Sequence, residues 1–365
     1  MKLYIFLGDL SAKGGIERVS VALANGLAKY YDVTIISLYR SSKNLTFIPA
    51  EEINVIYLYD DFETSMYNRN LKGISGLKFD FIYIMRKLKK LKNINFNPSK
   101  NDVLLSCDIK MSFLLALLAK KSKIIAIEHF EHDVGNAVLR KIREKLYPRF
   151  SAVVSQTPED QHKYLKWLPR KKHKIIPNIV SFKEVDTSQN EIKQKIVLAV
   201  GRLTKQKGFD LLLQAWAEAD THDWCLKIVG DGEEHDNLTA LITKLKIANA
   251  KIIPFQTDIQ QLYYSSEIFV LSSRFEGLGM VLIEALSCGL ACISFDCPAG
   301  PKTIITRDNG VLVPTGDIKK LSQSISFLIN NEDERKMLQK KSAASVDKFK
   351  ESNVIAKWRE LLNEI

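Results

Sequence analysis

The chain has 365 residues, 46% hydrophobic and 26% charged, with a formal net charge of +11. Two ordinary globular domains fit that length, and no apolar run reaches the roughly 18 residues of a membrane span; Met111 to Ala119 is the best candidate and is too short. Residues 1–182 carry 30 Lys and Arg against 17 Asp and Glu, while residues 183–365 carry 23 against 25, so a polyanion or anionic surface is expected to meet the first half.

The N-terminus enters a strand at once (Leu3–Leu7) and lacks a signal-peptide layout. Five scattered cysteines suit a reducing cytoplasm. Gly14 and Gly15 close the loop Ser11–Gly15 before a helix at Ile16–Tyr30, and a strand follows at Val33–Leu38. Glycines at that turn let the backbone approach a ligand, but Lys13-Gly14-Gly15-Ile16-Glu17-Arg18 is not a full dinucleotide fingerprint. From Phe79 to Lys92, aromatic and aliphatic residues recur at near-helical spacing and end in cations. That is the profile of an interfacial helix on anionic lipid, with Arg86, Lys87, Lys89 and Lys90 facing the membrane. A core helix with a solvated cationic end is the plainer alternative. Further strands are expected at Val103–Cys107, Ile124–Ile127 and Ala152–Ser155. Glu128-His129 ends the second of these at a carboxyl end; His132 lies three positions on, with no third metal ligand in view. A second basic run, Arg170–Lys174, precedes Pro177-Asn178, which ends the first half, and the polar segment Lys183–Gln194 reads as a linker.

Beyond it the alternation restarts, with strands expected at Ile196–Val200, Leu226–Val229, Lys251–Phe255, Ile268–Leu271, Ala291–Phe295 and Val311–Val313. Strand–helix alternation in both halves predicts two doubly wound α/β sheets. After the first of these strands, Arg202 and Lys207 stand at the ends of a short loop whose Gly208 opens a helix, a clamp for a diphosphate. Val229-Gly230-Asp231-Gly232-Glu233 repeats the strand–glycine–helix layout. The segment Ser273–Ala285 is the most informative. It follows a buried strand, at the end of a sheet where ligands bind. Gly277 and Gly279 break its loop, and the first amides of the next helix, Met280 and Val281, suit a phosphate. Glu276 and Glu284 flank that position, and carboxylates there fit the hydroxyls of a sugar and a ribose. Cys288, Cys292 and Cys297 are close in sequence; positions on a helix, a strand and a loop of the core explain them better than a metal does.

With Glu-Gly-Leu-Gly inside it, Glu276…Glu284 resembles the E-x7-E motif of retaining GT-B glycosyltransferases of family 4. The resemblance implies a GT-B fold, two Rossmann-like domains facing across a cleft. Residues 1–182 would bind the acceptor and residues 183–345 the donor, with the C-terminal segment 346–365, including a last helix Val354–Ile365, packing back on the first domain. Glu276 would contact the donor sugar and Glu284 the ribose. The backbone of Gly277, Leu278, Gly279, Met280 and Val281 would hold the diphosphate. Gly201-Arg202-Leu203…Lys207-Gly208 resembles the family's G-R-L…K-G signature, so Arg202 and Lys207 would neutralise the leaving nucleoside diphosphate. Gly232 would lie near the nucleotide, and Pro254–Thr257 falls where the family binds the base. Gly14 and Gly15 would touch donor phosphates or acceptor, and His129 the sugar near its reacting carbon. Cys297-Pro298-Ala299-Gly300-Pro301-Lys302 looks like a variant seen in transferases that build bacterial surface polysaccharide, with Lys302 adding charge nearby.

The expected activity is retaining transfer of a hexose or N-acetylhexosamine from a UDP sugar to a lipid-linked saccharide. No Asp-x-Asp pair is present (Asp60-Asp61 is adjacent, in a polar loop), so the transfer is expected to need no metal, and no cofactor is implied. The partners would be the nucleotide sugar, the lipid-linked acceptor and an anionic membrane, with the protein cytoplasmic and peripheral on the inner face of the membrane. A GT-B epimerase or hydrolase is the alternative within enzymes. Nucleic-acid binding by the basic half is a remote one, because no RNA or DNA module is recognisable.

Overall fold

The computed structural model describes every residue except 67–68, 72, 119–121, 130–131, 133–136, 181, 183–192 and 299. The expected linker therefore lies, through residue 192, outside the described residues, as does Ala299. The chain forms two units, Met1–Ile179 with Val354–Ile365, and Val180–Asn353.

The first unit holds seven parallel strands: β1 (Lys2–Asp9), β2 (Asp32–Tyr39), β3 (Asn54–Tyr57), β4 (Val103–Ser106), β5 (Lys123–Ile127), β6 (Ala152–Ser155) and β7 (His173–Ile175). Their order is β3-β2-β1-β4-β5-β6-β7. β1 is buried on both faces, which is why its sequence runs apolar without alternation. Leu3, Ile5 and Leu7 share a core with Val21, Leu23 and Leu27 of the helix Gly15–Ala28. Phe6 points the other way, into a core with Met111 and Leu114 of the helix Ile109–Leu118 and with Tyr83 and Leu91 of the helix Gly73–Asn93. The edge strands β3 and β7 were not expected from the sequence. They are four and three residues long and mostly half-buried, so they carry almost no period to read.

The second unit has β8 (Gln194–Val200), β9 (Cys225–Val229), β10 (Ala250–Ile253), β11 (Ser266–Leu271), β12 (Ala291–Phe295) and β13 (Gly310–Val313) in the order β10-β9-β8-β11-β12-β13. β10 stops at Ile253 rather than Phe255, because Pro254 has no N–H to continue a ladder. Val180 donates its N–H to the Phe349 carbonyl at 3.0 Å and Phe182 packs on Tyr263, so 180–182 belong to the second unit and not the first. Residues 346–353 also stay there, with Val346 and Phe349 in its core. Of the last helix, Glu351–Glu364, the part from Val354 joins the first unit, through Val354, Ile355, Trp358, Leu361 and Leu362.

Both sheets wind outward from their first strand and then restart on its other side. The turning points fall between β1 and β4 and between β8 and β11. Loops leaving neighbouring strands there diverge, opening a crevice at the carboxyl ends, the usual ligand position of such sheets.

Candidate active site

In the second unit, the loop Gly201–Gly208 leaves β8 and the loop Ser272–Gly279 leaves β11, so both stand at the turning point. Lys207 Nζ lies 2.6 Å from Glu276 Oε1, and Ser273 Oγ donates to the same oxygen at 2.5 Å. Glu276 is only 7% exposed. A carboxylate so enclosed needs such partners, and here they come from both loops. Cys297 lies near enough that its thiol, already raised by burial, is raised further by the charge of Glu276, to about 12. Arg202, at the other end of its loop, is exposed, and its side chain makes no hydrogen bond or ion pair among the described residues.

Close backbone contact shapes these loops. Gly208 has φ +63°, and a Cβ there would sit 2.1 Å from the Ser272 carbonyl oxygen. At Gly232 a Cβ would come 2.3 Å from the Leu203 carbonyl oxygen, so Gly232 serves the turn whatever else it meets. The Phe255 N–H donates to Asp231 Oδ1 at 3.3 Å, tying the loop after β10 to the one after β9. Beside it is an open pocket of about 410 Å³ lined by Ile253, Gln256, Asp258, Gln261, Leu262 and Ser265.

Gly279, at φ +82°, is the N-cap of the helix Met280–Ser287. The amides of Met280 and Val281 are the first of that helix and have no intrahelical acceptor, and the helix dipole adds positive potential there. Leu278 turns its side chain into the core, which leaves its backbone alone available to a ligand. Glu284 is 1% exposed, and the Tyr263 hydroxyl donates to its Oε2 at 3.2 Å. Tyr263 is fully buried and no motif announced it; its role depends on a contact across 21 positions.

The first unit is arranged differently. Gly14 is the N-cap of the helix Gly15–Ala28. A Cβ built on Gly15 would meet no atom within 4 Å, so packing does not demand a glycine there. Glu128, following β5, is buried; Tyr147 donates its hydroxyl to one oxygen, and Arg143 Nη1 lies 3.6 Å from the other. Arg143 Nη1 also donates to the Tyr164 hydroxyl at 3.1 Å and to the His132 carbonyl at 2.9 Å. Glu128 is thus committed to fixing the end of β5. Next to it, both ring nitrogens of His129 are buried without a hydrogen-bond partner among the described residues, and burial pushes the imidazole down to about 4. It is neutral at pH 7. His129 lines a cavity of about 10 Å³, room for about one water, with Gln156, Asn178 and Trp358. Gln156 Oε1 likewise has no partner among the described residues.

The basic helix Gly73–Asn93 corrects one expectation. Lys87 does not face outward: it is 1% exposed, its ammonium donates to the Leu38 carbonyl at 3.0 Å, pairs with Glu63 and lies 3.6 Å from the Tyr59 ring centroid. Burial lowers its pKa to about 8. Arg86 and Lys89 are exposed and Lys90 is half-buried, 5.6 Å from the Tyr59 ring. Ile74, Leu77, Phe81, Ile82 and Met85 are also exposed, and with Lys78, Arg86, Lys89 and Lys92 they form one face. The second basic run is partly structural. Lys172 donates to the Pro148 and Phe150 carbonyls at 2.7 and 2.8 Å, and Lys174 pairs with Glu364 at 2.5 Å.

Among the described residues no group of three His, Cys, Asp or Glu is gathered as a metal would require. Cys288, Cys292 and Cys297 are buried free thiols, each raised by burial. No helix of the described residues is long and apolar enough to cross a membrane.

The model of the family "Glycosyl transferases group 1" matches residues 182–345. Similarity to curated proteins runs along nearly the whole chain. An uncharacterized glycosyltransferase of Haemophilus influenzae is 32% identical over 99% of both chains. The amylovoran biosynthesis glycosyltransferase AmsD of Erwinia amylovora is 30% identical over the same share. An N-acetyl-D-galactosaminyltransferase of Campylobacter jejuni, named for a saccharide on PP-undecaprenol, is 27% identical over 100% of this chain and 99% of its own. Among solved structures, a TarM variant from S. aureus, in complex with fondaparinux, alpha-GlcNAc-glycerol and UDP, superposes with a TM-score of 0.80 over 99% of both chains at 15% identity.

Proposed function

From the premise that this chain belongs to the group 1 glycosyl transferases and has their GT-B fold, we propose that it moves a hexose or N-acetylhexosamine from a UDP sugar to a lipid-linked saccharide, with retention and without a metal. The observation that carries the reading is the meeting of Lys207 and Glu276 at the turning point of the second sheet, 2.6 Å apart, beside the first amides of the helix that holds Glu284. Arg202 and Lys207 take the diphosphate from two sides, and the amides of Met280 and Val281 take its remaining oxygens. When the sugar–phosphate bond breaks, its electron pair leaves on the diphosphate, so these groups act mostly in the transition state. Two cations and a helix N-terminus supply the neutralisation that a divalent ion supplies elsewhere. Glu276 holds a sugar hydroxyl and Glu284 the ribose. His129 would give its neutral ring nitrogen to a substrate hydroxyl only once the enclosed one-water cavity around it opens.

The acceptor reading rests on the helix Gly73–Asn93. Its outward face, exposed apolar residues among cations, fits a surface of anionic lipid in which a polyprenyl-linked saccharide resides. The Campylobacter jejuni relative is named for an acceptor of that kind and the Erwinia amylovora relative for amylovoran biosynthesis. Surface-polysaccharide synthesis (O-antigen, capsule or lipopolysaccharide) at the inner face of the cytoplasmic membrane is the setting that joins the two.

The test is thermal stability with UDP, UDP-glucose, UDP-galactose, UDP-N-acetylglucosamine and UDP-N-acetylgalactosamine, each with and without EDTA. A ligand at a hundred times its dissociation constant adds about 2.7 kcal/mol. A shift that survives EDTA and is lost in Glu284→Ala supports a metal-free donor site; no shift with any of the five defeats it. Flotation with vesicles of anionic and of neutral lipid tests the membrane face.

A further inference from the structure

We propose that Arg274 and Asp210 are positioning residues of the donor site, stapling the loop Gly201–Gly208 to the loop Ser272–Gly279 and so setting how Lys207 meets Glu276. The inference rests on the reading of Lys207 and Glu276 as donor-binding groups. Arg274 Nη1 and Nη2 donate to the two carboxylate oxygens of Asp210 at 2.8 and 2.7 Å, and Nη1 also donates to the Lys205 carbonyl at 2.7 Å. The Arg274 N–H donates to the Gln206 carbonyl at 2.8 Å, Gln206 Nε2 to the Phe275 carbonyl at 3.0 Å, and Ser272 Oγ to the Lys207 carbonyl at 2.9 Å. The residues that flank Lys207 are thereby fastened to the residues that flank Glu276.

The arrangement is made for geometry more than for stability. The Arg274 and Asp210 side chains are 37% and 38% exposed, so water and salt screen the pair and its net contribution to folding is small. A planar guanidinium that spans a carboxylate and a neighbouring carbonyl nevertheless fixes distance and angle, which the flexible point charge of a lysine does not. Gly208 limits the approach from the other side, since its α-carbon already lies against the Ser272 carbonyl. Held between that contact and the staple, the two loops have one spacing. A misplacement of about 1 Å in groups that act on a reacting centre lowers turnover by about a hundredfold.

Arg274→Lys, Asp210→Asn and Asp210→Glu are the variants to compare. For each, kcat and KM are measured with the UDP sugar the unaltered protein turns over best, alongside UDP affinity, Tm and backbone amide exchange. The expected result for Arg274→Lys and Asp210→Asn is a kcat lower by about ten- to a hundredfold. UDP affinity should change by less than about threefold and Tm by only a few degrees. Amides of 205–208 and 272–277 should exchange faster, and Asp210→Glu should recover most of the loss. Unchanged kcat, or a kcat that falls only in step with Tm, overturns the proposal. Should the unaltered protein neither bind UDP nor turn over any nucleotide sugar, the donor reading fails by itself. The staple is then judged by exchange alone: faster exchange in those two loops supports it, and unchanged exchange sinks it.

Discussion

The two units share one strand order, the first with one strand more, and hold their candidate groups differently. In the second, most charges are paired before any ligand arrives, Lys207 on Glu276 and Arg274 on Asp210, with Tyr263 on Glu284, while Arg202 stays exposed. In the first, Glu128 is paired with Arg143 and Tyr147, but its neighbour His129 is neutral, buried and unpartnered among the described residues, and a Cβ on Gly15 would meet nothing within 4 Å. A site for a diphosphate gains from cations held in place at no cost at the moment of reaction. A site for hydroxyls needs donors and acceptors that other protein groups have not taken.

That contrast can be broken most sharply in the second unit. Lys207→Ala should lower kcat by about a hundred- to a thousandfold, as loss of one preorganised charge at a developing anion does; steady-state kinetics with the best UDP sugar measure it, and a loss under tenfold would mean the pair is structural. A smaller effect separates the cations of the helix Gly73–Asn93. Lys87→Ala should destabilise the protein by about 1–3 kcal/mol by stranding Glu63 and the Leu38 carbonyl. Lys89→Ala should leave Tm alone and weaken binding to anionic vesicles by about 1 kcal/mol, near fivefold. Melting curves and vesicle flotation read the two, and equal effects on both would erase the distinction.

Acid should also act on the first unit. His129 and His173 are both lowered to about 4 by burial, below the 6.5 of an ordinary imidazole. The unfolded chain therefore takes up protons first, and stability present above about pH 6.5 is lost as pH falls toward 4. Tm at pH 7.5, 5.5 and 4.5 should fall, and fall less in His173→Gln; an equal fall in the variant would acquit His173. The gentlest probe is Gly15→Ala. No atom opposes the added methyl, so Tm should hold within about a degree, whereas turnover should drop severalfold if a substrate lies against that backbone. Unchanged kinetics would free Gly15 of a substrate.

The same contrast explains what the sequence disclosed. The groups of the second unit sit in contiguous stretches, Gly201–Gly208 and Ser273–Ala285, each between a strand and a helix, and contiguous spacing is what a reader of one chain can see. The buried state of Lys87 was hidden because it depends on Glu63, 24 positions away in a loop with no periodic signal. Arg274 and Asp210 stand 64 positions apart, and no spacing rule joins them. The central strands were legible through unbroken apolar runs, while the edge strands Asn54–Tyr57 and His173–Ile175 are short, mostly half-buried and carry polar residues within them.

One feature of the fold bears on how the protein is made. The C-terminal segment Val354–Ile365, which holds most of the helix Glu351–Glu364, completes a core that also contains Leu3, Ile5 and Leu7, yet the whole of Val180–Asn353 is translated between them. On the ribosome the core of the first unit stays incomplete, with Leu23 and its neighbours short of a partner, until Trp358 and Leu361 are made. The second unit, contiguous in the chain, can close beforehand. The early half of the nascent chain carries an incomplete core the longest, and that is where a chaperone would be needed.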